Sequence, residues 1–303
     1  MIRKLRQGLG IPADSLLGAS KDQPPQSGAV RNWREFPLAE MVRRRWFGDA
    51  VASWRELAER GDDLLVPFFQ PAEALGGQAV HPRQSVRRGR AADNKALLAW
   101  TARVLNLAQQ QRVGPGHDDA VKKSFIGEIA RLSQLDEGPL VAREMLAKVG
   151  IRMVVERHLQ RTRLDGAAMR FGDDPPIIAL TLRYDRLDHF WFTLCHELAH
   201  VILHLGRGHE AQFLDDLDAK GRSQKEAQAD RAALDNTIPE AKWKAFRRKR
   251  IPSRMDIEEL ATSLRLHPAI VAGRYRRETD DYRVFSDLVG SRRVRTLFQM
   301  DKA

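Results

Sequence analysis

Residues 187–206 read LDHFWFTLCHELAHVILHLG. The centre of this run, His196-Glu197-Leu198-Ala199-His200, has the spacing HExxH. Because the residues around it are apolar on nearly every side, the run predicts a buried helix that ends near Gly206. Residues four positions apart lie on the same face of a helix. The sequence therefore predicts that the imidazoles of His196 and His200 can reach one ion.

A zinc ion is the group that suits this arrangement best. Buried imidazoles and carboxylates are costly unless a metal or hydrogen bonds satisfy them. Zinc lowers the pKa of a water ligand to about 7, and a neighbouring carboxylate can take the proton that this water gives up. We therefore expect Zn²⁺ as the cofactor, with His196 and His200 as ligands and Glu197 as the catalytic base.

A catalytic zinc site needs a third protein ligand and keeps one position open for water. The version of the motif with a third histidine requires glycine and histidine at the positions of Leu203 and Gly206, so the sequence excludes it. Glu226, on a following predicted helix, is a candidate for the third ligand. Asp230 lies one turn after Glu226 and is suited to orient a ligand histidine from behind.

The spacing alone leaves other interpretations of the third ligand open. Ser223 and Glu226 match a capping box, in which the glutamate only caps its own helix. His204 is a further candidate, although it lies one turn beyond His200. His209 and Glu210 fall in a predicted loop and remain candidates as well.

The elements around the motif predict an α+β fold. Hydrophobic patterning places the strands together in one stretch, with helices before and after it, which is typical of that class. The pattern is helical from Trp33 to about Leu135, apart from a loop near residues 76–93. The predicted strands are 151–155, 166–171 and 177–184, and the helices beside them are 139–149, 187–205 and 223–235.

The chain is basic, with 51 lysines and arginines against 40 aspartates and glutamates and a formal net charge of +11. Contact with nucleic acid is one interpretation, because these side chains displace counterions from phosphates. Solvated helix faces are the other, and we favour it because no DNA-reading motif is complete. The basic clusters are residues 43–45, 87–90, 247–250 and 274–277.

The sequence favours a cytoplasmic protein without a membrane partner. Its one cysteine, Cys195, excludes an intrachain disulfide and fits a reducing compartment. The longest apolar stretch, residues 190–205, contains three histidines and a glutamate, so no segment has the character of a membrane span. The basic N-terminus is not followed by the apolar core of a signal peptide.

Three segments of the chain resemble the ImmA/IrrE family of metallopeptidases. They are similar to the branch that is fused to xenobiotic-response-type helix-turn-helix regulators and HigA-like antitoxins. The resemblance covers most of the chain and is strongest over residues 138–235. Its segments are LRYDRLDHFWFTLCHELAH at 182–200, HLQRTRLDGAA at 158–168 and WREFPLAEM at 33–41.

The resemblance implies His196 and His200 as zinc ligands, Glu197 as the catalytic base and Glu226 as the third ligand. Glu226 begins the family's Glu-x-x-Ala-Asp pattern, which Ala229 and Asp230 complete. One departure is Ala232, which stands where the family usually has a phenylalanine, so we expect different packing behind the ligand.

The resemblance also implies a domain organisation. We expect a residual helix-turn-helix tail and linker at 1–25, a helical region at 26–137, a zincin-like peptidase domain with a short mixed sheet at 138–275, and a helical tail at 276–303. The part of the helix-turn-helix that would enter the major groove is missing, which argues against DNA binding by this chain.

Two functions compete on this basis. The first is a zinc endopeptidase that cuts a protein partner, such as a repressor in a stress or toxin–antitoxin circuit, and the intact Glu197 favours it. The second is a transcriptional regulator or antitoxin-like binding protein with a sensory or structural zinc site, which the basic surface and regulator-like N-terminus favour.

Substrate binding and transition-state stabilisation give further predictions. His267, His158 and Tyr184 are candidates to stabilise the oxyanion, and we favour His267 because its segment can fold back over the site. Strand 166–168 or its predicted hairpin partner 179–181 is a candidate edge for docking an extended peptide. The alternative is that the small residues there pack under the active-site helix.

Overall fold

The computed structural model describes residues 32–74, 93–115, 121–206, 212–214, 224–249 and 251–300. The predicted helix-turn-helix tail, the basic cluster at 87–90 and residues Ser223, His209 and Glu210 lie outside that description. The strands are β1 Arg152–Val155, β2 Gly166–Arg170, β3 Ile177–Leu180 and β4 Gln212–Leu214.

The helices before the sheet are α1 Leu38–Arg43, α2 Trp54–Glu59, α3 Gly61–Ala74, α4 Asn94–Gln109, α5 Ser124–Arg131 and α6 Gly138–Lys148. Those after its first three strands are α7 Leu187–His204, α8 Gln224–Thr237, α9 Glu240–Arg247, α10 Arg254–Leu264, α11 Pro268–Thr279 and α12 Val294–Leu297. None of the helices described here is long and apolar enough to cross a membrane.

The chain divides into two compact units, residues 1–33 and 34–303. The domain boundaries predicted at 137/138 and 275/276 both fall within the second unit, and they stay predictions. The predicted α+β architecture is confirmed, with a helical N-terminal region, a mixed sheet and then further helices.

The sheet has the strand order β1-β3-β2-β4. Strand β1 runs parallel to β3, whereas β2 runs antiparallel to both β3 and β4. All four residues of β3 are buried, which agrees with its position between two other strands. Strand β4 is absent from the sequence prediction, because three residues within a polar segment carry no periodic signal.

Helix α7 is buried, as its apolar sequence predicts. Phe190, Trp191, Leu194 and Leu198 are each at most 1% exposed. The helix packs against β2 and β3 and also against helices α5, α8 and α11. Strand β2 holds its C-terminal end, because the buried Arg170 donates a hydrogen bond to the Leu205 carbonyl over 3.1 Å.

The N-terminal helices of the second unit cover the outer edge of the sheet. Trp100 of α4 donates its indole N–H to the Glu156 carbonyl over 3.1 Å. Gln111, just after α4, donates to the Met153 carbonyl of β1 over 3.0 Å. Unpaired edge carbonyls invite pairing with other chains. Gln111 therefore satisfies a carbonyl that strand β1 would otherwise offer to another strand, and Trp100 ties α4 to the residue directly after that strand.

The basic cluster at 274–277 is neither a solvated helix face nor a nucleic-acid patch, so both interpretations are wrong there. Arg274 and Arg276 are only 8% and 5% exposed. Arg274 donates to the Ile238 carbonyl over 2.9 Å and pairs with Glu240 and Glu278. The cluster fastens α11 to the elements around it. In the cluster at 43–45, by contrast, the side chains of Arg43 and Arg45 are exposed.

The core position of Leu194 gives a test of this fold. Leu194→Ala should lower the free energy of unfolding by about 2–5 kcal/mol, because truncation removes buried apolar surface and leaves a cavity. Urea unfolding of the purified protein measures the change. Met255→Ala is the control, since Met255 is 76% exposed and its loss should change stability by less than about 0.5 kcal/mol. Equal effects of the two substitutions would contradict the burial of α7.

Candidate metal centre

Helices α7 and α8 bring two histidines and a glutamate together. Nε2 of His196 lies 3.2 Å from Oε2 of Glu226, and Nε2 of His200 lies 3.0 Å from Oε1 of the same carboxylate. The two Nε2 atoms are 3.1 Å apart. His196 and His200 lie one turn apart on α7, and Glu226 lies in the first turn of α8. In the described residues, these three side chains form a candidate metal site.

The spacing of the donor atoms fits a zinc ion. Ligand atoms about 2.0–2.1 Å from a tetrahedral ion are separated from one another by roughly 3.3 Å. The contacts of 3.0–3.2 Å among the three donors are close to that separation. Two imidazoles and one carboxylate are also a ligand set of catalytic zinc sites. Donor chemistry and spacing therefore agree on the same ion.

Asp230 lies behind His196. Its Oδ1 is 2.9 Å from Nδ1 of the imidazole, on the side away from Glu226. A carboxylate at this nitrogen favours the tautomer that carries the proton on Nδ1, which leaves the lone pair of Nε2 directed at the candidate metal position. Asp230 is only 7% exposed, so its charge is largely shielded from water.

The charges at the site attract a cation. Burial lowers the pKa of His196, but contacts with the carboxylates of Asp230 and Glu226 outweigh burial and raise this pKa to about 10. Burial raises the pKa of Glu226, and its contacts with the two imidazoles lower it well below the usual range. These contacts favour a protonated His196 at neutral pH, and a metal ion that bound its Nε2 would displace that proton.

Glu197 lies between α7 and strand β2. It is 6% exposed and packs against Gly166, where an added Cβ atom would lie 2.8 Å from Oε1 of Glu197 and 2.7 Å from Cγ2 of Thr193. Glycine at position 166 thus gives the carboxylate room beside the candidate metal ligands. Because Glu197 follows His196 directly on the helix, its position is tied to that of the ligands.

Of the other candidates for the third ligand, His204 does not join the cluster. Nε2 of His204 lies 3.2 Å from the Lys225 carbonyl, and its ring centre is 5.4 Å from that of His200. A histidine nitrogen that donates to a carbonyl is not free to bind a metal. His209 and Glu210 lie outside the described residues, as does Ser223 of the proposed capping box.

The contacts described for His267 do not involve the three candidate ligands, and its role as an oxyanion stabiliser stays a prediction. The residue is the N-cap of α11, where its Nδ1 accepts a hydrogen bond from the Ala269 N–H over 3.0 Å. The backbone N–H of His267 donates a hydrogen bond to Oγ of Ser133 over 3.0 Å. A histidine directly before Pro268 has a local explanation as a helix cap, since proline favours the first helical position.

The two other oxyanion candidates lie in basic surroundings. Burial lowers the pKa of His158, and the nearby Arg183 and Arg44 lower it further. Tyr184 is 46% exposed and its ring packs against His189, with a centroid distance of 4.9 Å. Neither residue contacts the three candidate ligands in the contacts described here.

The sheet order separates the two candidate docking strands. Strand β3 is interior, so residues 179–181 do not provide an edge, and that alternative is wrong. Strand β2 pairs with β4 only through Ala168, Met169 and Arg170. Within the described ranges no strand pairs with Gly166 or Ala167 on the β4 side, and this end of β2 lies beside Glu197.

Arg277 is a contact of the site that the sequence did not reveal. Its Nη2 lies 3.1 Å from Oδ2 of Asp230, and its guanidinium lies 4.1 Å from the ring centre of Phe192. Asp230 and Arg277 are 47 positions apart in the sequence. A local sequence pattern carries no information on a contact between such distant residues. The sequence analysis interpreted the basic cluster that contains Arg277 as a solvated helix face.

Comparison with known families identifies the class of this region. Residues 150–275 match the family model described as the IrrE N-terminal-like domain, Peptidase_M78. These residues include α7 and α8 and therefore the whole candidate metal site. The chain thus contains a peptidase domain of the M78 family with a candidate HExxH…E zinc site. Comparison with curated proteins and with solved structures gives no match.

The role of Glu226 can be tested through metal binding. Glu226→Ala removes one of three candidate ligands, so zinc affinity should fall by more than the roughly hundredfold loss typical of an outer partner. Competition with a chromogenic chelator measures the affinity. Gln228→Ala, an exposed change on the same helix, is the control and should bind zinc like the unmodified protein. Unchanged affinity in Glu226→Ala would show that this glutamate is no ligand.

The contact between Asp230 and His196 gives a second test. Asp230→Ala should weaken zinc binding by about ten- to a hundredfold, because Nδ1 of His196 loses the carboxylate that orients the ring. The same chelator competition measures it. Asp235→Ala, on the same helix, is the control because Asp235 pairs with Arg231 near the surface. Equal zinc affinity in the two variants would refute an orienting role for Asp230.

Proposed function

We propose that this protein is a zinc-dependent endopeptidase that hydrolyses a peptide bond in a protein partner. The observation that carries the proposal is a cluster of three candidate ligands with the Glu197 carboxylate next to it. Structural zinc sites are closed by four protein ligands, whereas catalytic sites have three and keep one position open. In the part of the chain that is described, the cluster has three members.

The residues of the chain supply the remaining chemistry. Zinc, when bound at His196, His200 and Glu226, acidifies water and polarises the peptide carbonyl. The carboxylate of Glu197 accepts a proton from the attacking water, whose oxygen bonds to the carbonyl carbon. Glu197 then gives the proton to the amide nitrogen as the carbon–nitrogen bond breaks. The confined position of Glu197 against Gly166 keeps this carboxylate close to the reacting groups.

The end of strand β2 supports a docking mode for the substrate. In the antiparallel pair with β3, the Asp165 carbonyl accepts from the Thr181 N–H, so alternate residues face β3 from there onward. The N–H and C=O of Gly166 therefore face the β4 side, where the pairing within the described residues runs from Ala168 to Arg170. An extended peptide can add to a sheet through such groups. Its backbone would then run beside Glu197.

The identity of the substrate is a finer proposal. We infer that the partner is a transcriptional repressor in a stress or toxin–antitoxin circuit. We also infer that the chain belongs to the branch associated with helix-turn-helix regulators and HigA-like antitoxins. The support is the sequence resemblance of residues 33–41, 158–168 and 182–200 to that branch.

The proposed activity depends on one carboxylate that is not a ligand. Glu197→Gln should bind zinc like the unmodified protein and lose about a hundredfold or more in peptide cleavage, because the amide cannot accept the proton. The zinc-loaded proteins are incubated with a peptide library made from a bacterial proteome, and new termini are counted by mass spectrometry. Glu144→Gln, an exposed change on α6, is the control and should cleave normally.

The same experiment separates the two functions. If the unmodified protein binds zinc tightly and produces no more new termini than Glu197→Gln, the peptidase proposal fails. The alternative of a regulatory or antitoxin-like binding protein with a sensory or structural zinc site would then hold.

A further inference from the structure

Asp230 is held from two sides. Its Oδ1 lies 2.9 Å from Nδ1 of His196, and its Oδ2 lies 3.1 Å from Nη2 of Arg277. Contacts on both oxygens restrict the orientation of a carboxylate plane. The contact with Arg277 therefore bears on how Asp230 meets the candidate ligand histidine.

Arg277 also reaches the helix that carries the histidines. Its guanidinium lies 4.1 Å from the ring centre of Phe192, and that ring lies 5.9 Å from the imidazole of His196. Phe192 precedes His196 by one turn of α7. A guanidinium over an aromatic face is attracted by the ring electrons. One side chain from α11 thus contacts both α7 and α8, the two helices that supply the candidate ligands.

The backbone of α11 is held close to α7, which fixes the origin of the Arg277 side chain. Gly273 lies so near the start of α7 that an added Cβ atom would be 2.6 Å from Cβ of Asp188. Gly273 and Arg277 are one turn apart and face α7 together. The close contact at Gly273 restricts how far α11 can move relative to α7, and so fixes where the Arg277 side chain begins.

Arg277 also balances the negative charge of the site when zinc is bound. Glu197, Glu226 and Asp230 carry three negative charges in a largely buried region. A zinc ion supplies two positive charges, and Arg277 supplies the third. Buried charges are costly unless others nearby compensate them.

We propose that Arg277 is a positioning residue of the metal centre: it holds Asp230 against His196 and so keeps the imidazole directed at the ion. Its effect on metal binding is independent of catalysis, whereas its effect on turnover rests on the proposed peptidase function. Without Arg277, Asp230 loses the charged contact on Oδ2, and its orientation beside Nδ1 of His196 is held less firmly.

The surroundings of Arg277 make the residue suitable for substitution. Its side chain is 32% exposed and lines an open cavity between α8, α9 and α11. Water can enter this space when the guanidinium is removed, so a smaller side chain leaves no empty void in the core. Arg277→Met keeps an unbranched apolar stem on Phe192 and removes the charge.

A double-mutant cycle on zinc affinity tests the proposal. Arg277→Met alone should weaken zinc binding by about tenfold, as losses of outer partners do. In the Asp230→Ala background the same substitution should have no further effect, because Arg277 acts through Asp230. Arg231→Met is the control, since Arg231 lines the same cavity with an 84% exposed side chain and should leave affinity unchanged.

Cobalt absorption spectra and a conservative variant complete the test. The visible bands of the Co²⁺-loaded protein should change in Arg277→Met and stay unchanged in Arg231→Met. Arg277→Lys, which keeps a cation at the site, should recover part of the lost affinity and is the second variant if Arg277→Met does not fold. Wild-type affinity and spectra in both Arg277 variants, or an equal effect with and without Asp230, would overturn the proposal. These readouts do not need peptide cleavage, so failure of the peptidase function is seen separately.

Discussion

The packing of α8 across the buried helix α7 is the contact on which the rest of the site depends. Each helix contributes a pair of residues one turn apart, His196 and His200 from α7 and Glu226 and Asp230 from α8. A pair at this spacing occupies one face of its helix, so a single helix contact orders all four side chains. The apolar surface of α7 supplies the driving force for that contact. Hydrophobic packing between the two helices thus sets the positions of the four polar side chains.

The sheet imposes the second constraint, through the contact of β2 with α7. Strand β2 offers Gly166 where Glu197 must fit, and Arg170 at its other end fastens the last carbonyl of the helix. The carboxylate therefore has a strand on one side and its neighbouring ligand histidine beside it on the helix. Strand, helix and second helix each contribute a different group to the site, and none of them can build it alone.

The sequence could predict the features that depend on local periodicity. Helix α7, the first three strands and the α+β class follow from periodicity, and the positions of His196 and His200 follow from helical spacing. Spacing could not decide whether Glu226 is a metal ligand or only caps its own helix, because both roles place a glutamate in the first turn. His267 has a local role as a helix cap before Pro268, which the sequence analysis did not consider, and its role at an oxyanion stays a prediction. The sheet order, strand β4 and the contact of Arg277 depend on distant segments, on which local pattern carries no information.

The covered edge of β1 has a consequence for self-association. Extended chains can add to any open sheet edge, so a protein that offers one to a peptide also risks pairing with its own copies. Gln111 donates to the Met153 carbonyl of β1, and Trp100 of α4 donates to the Glu156 carbonyl directly after that strand. Helix α4 also packs against β1, so a second copy of the chain would have to displace these contacts before its sheet could join this one through that edge.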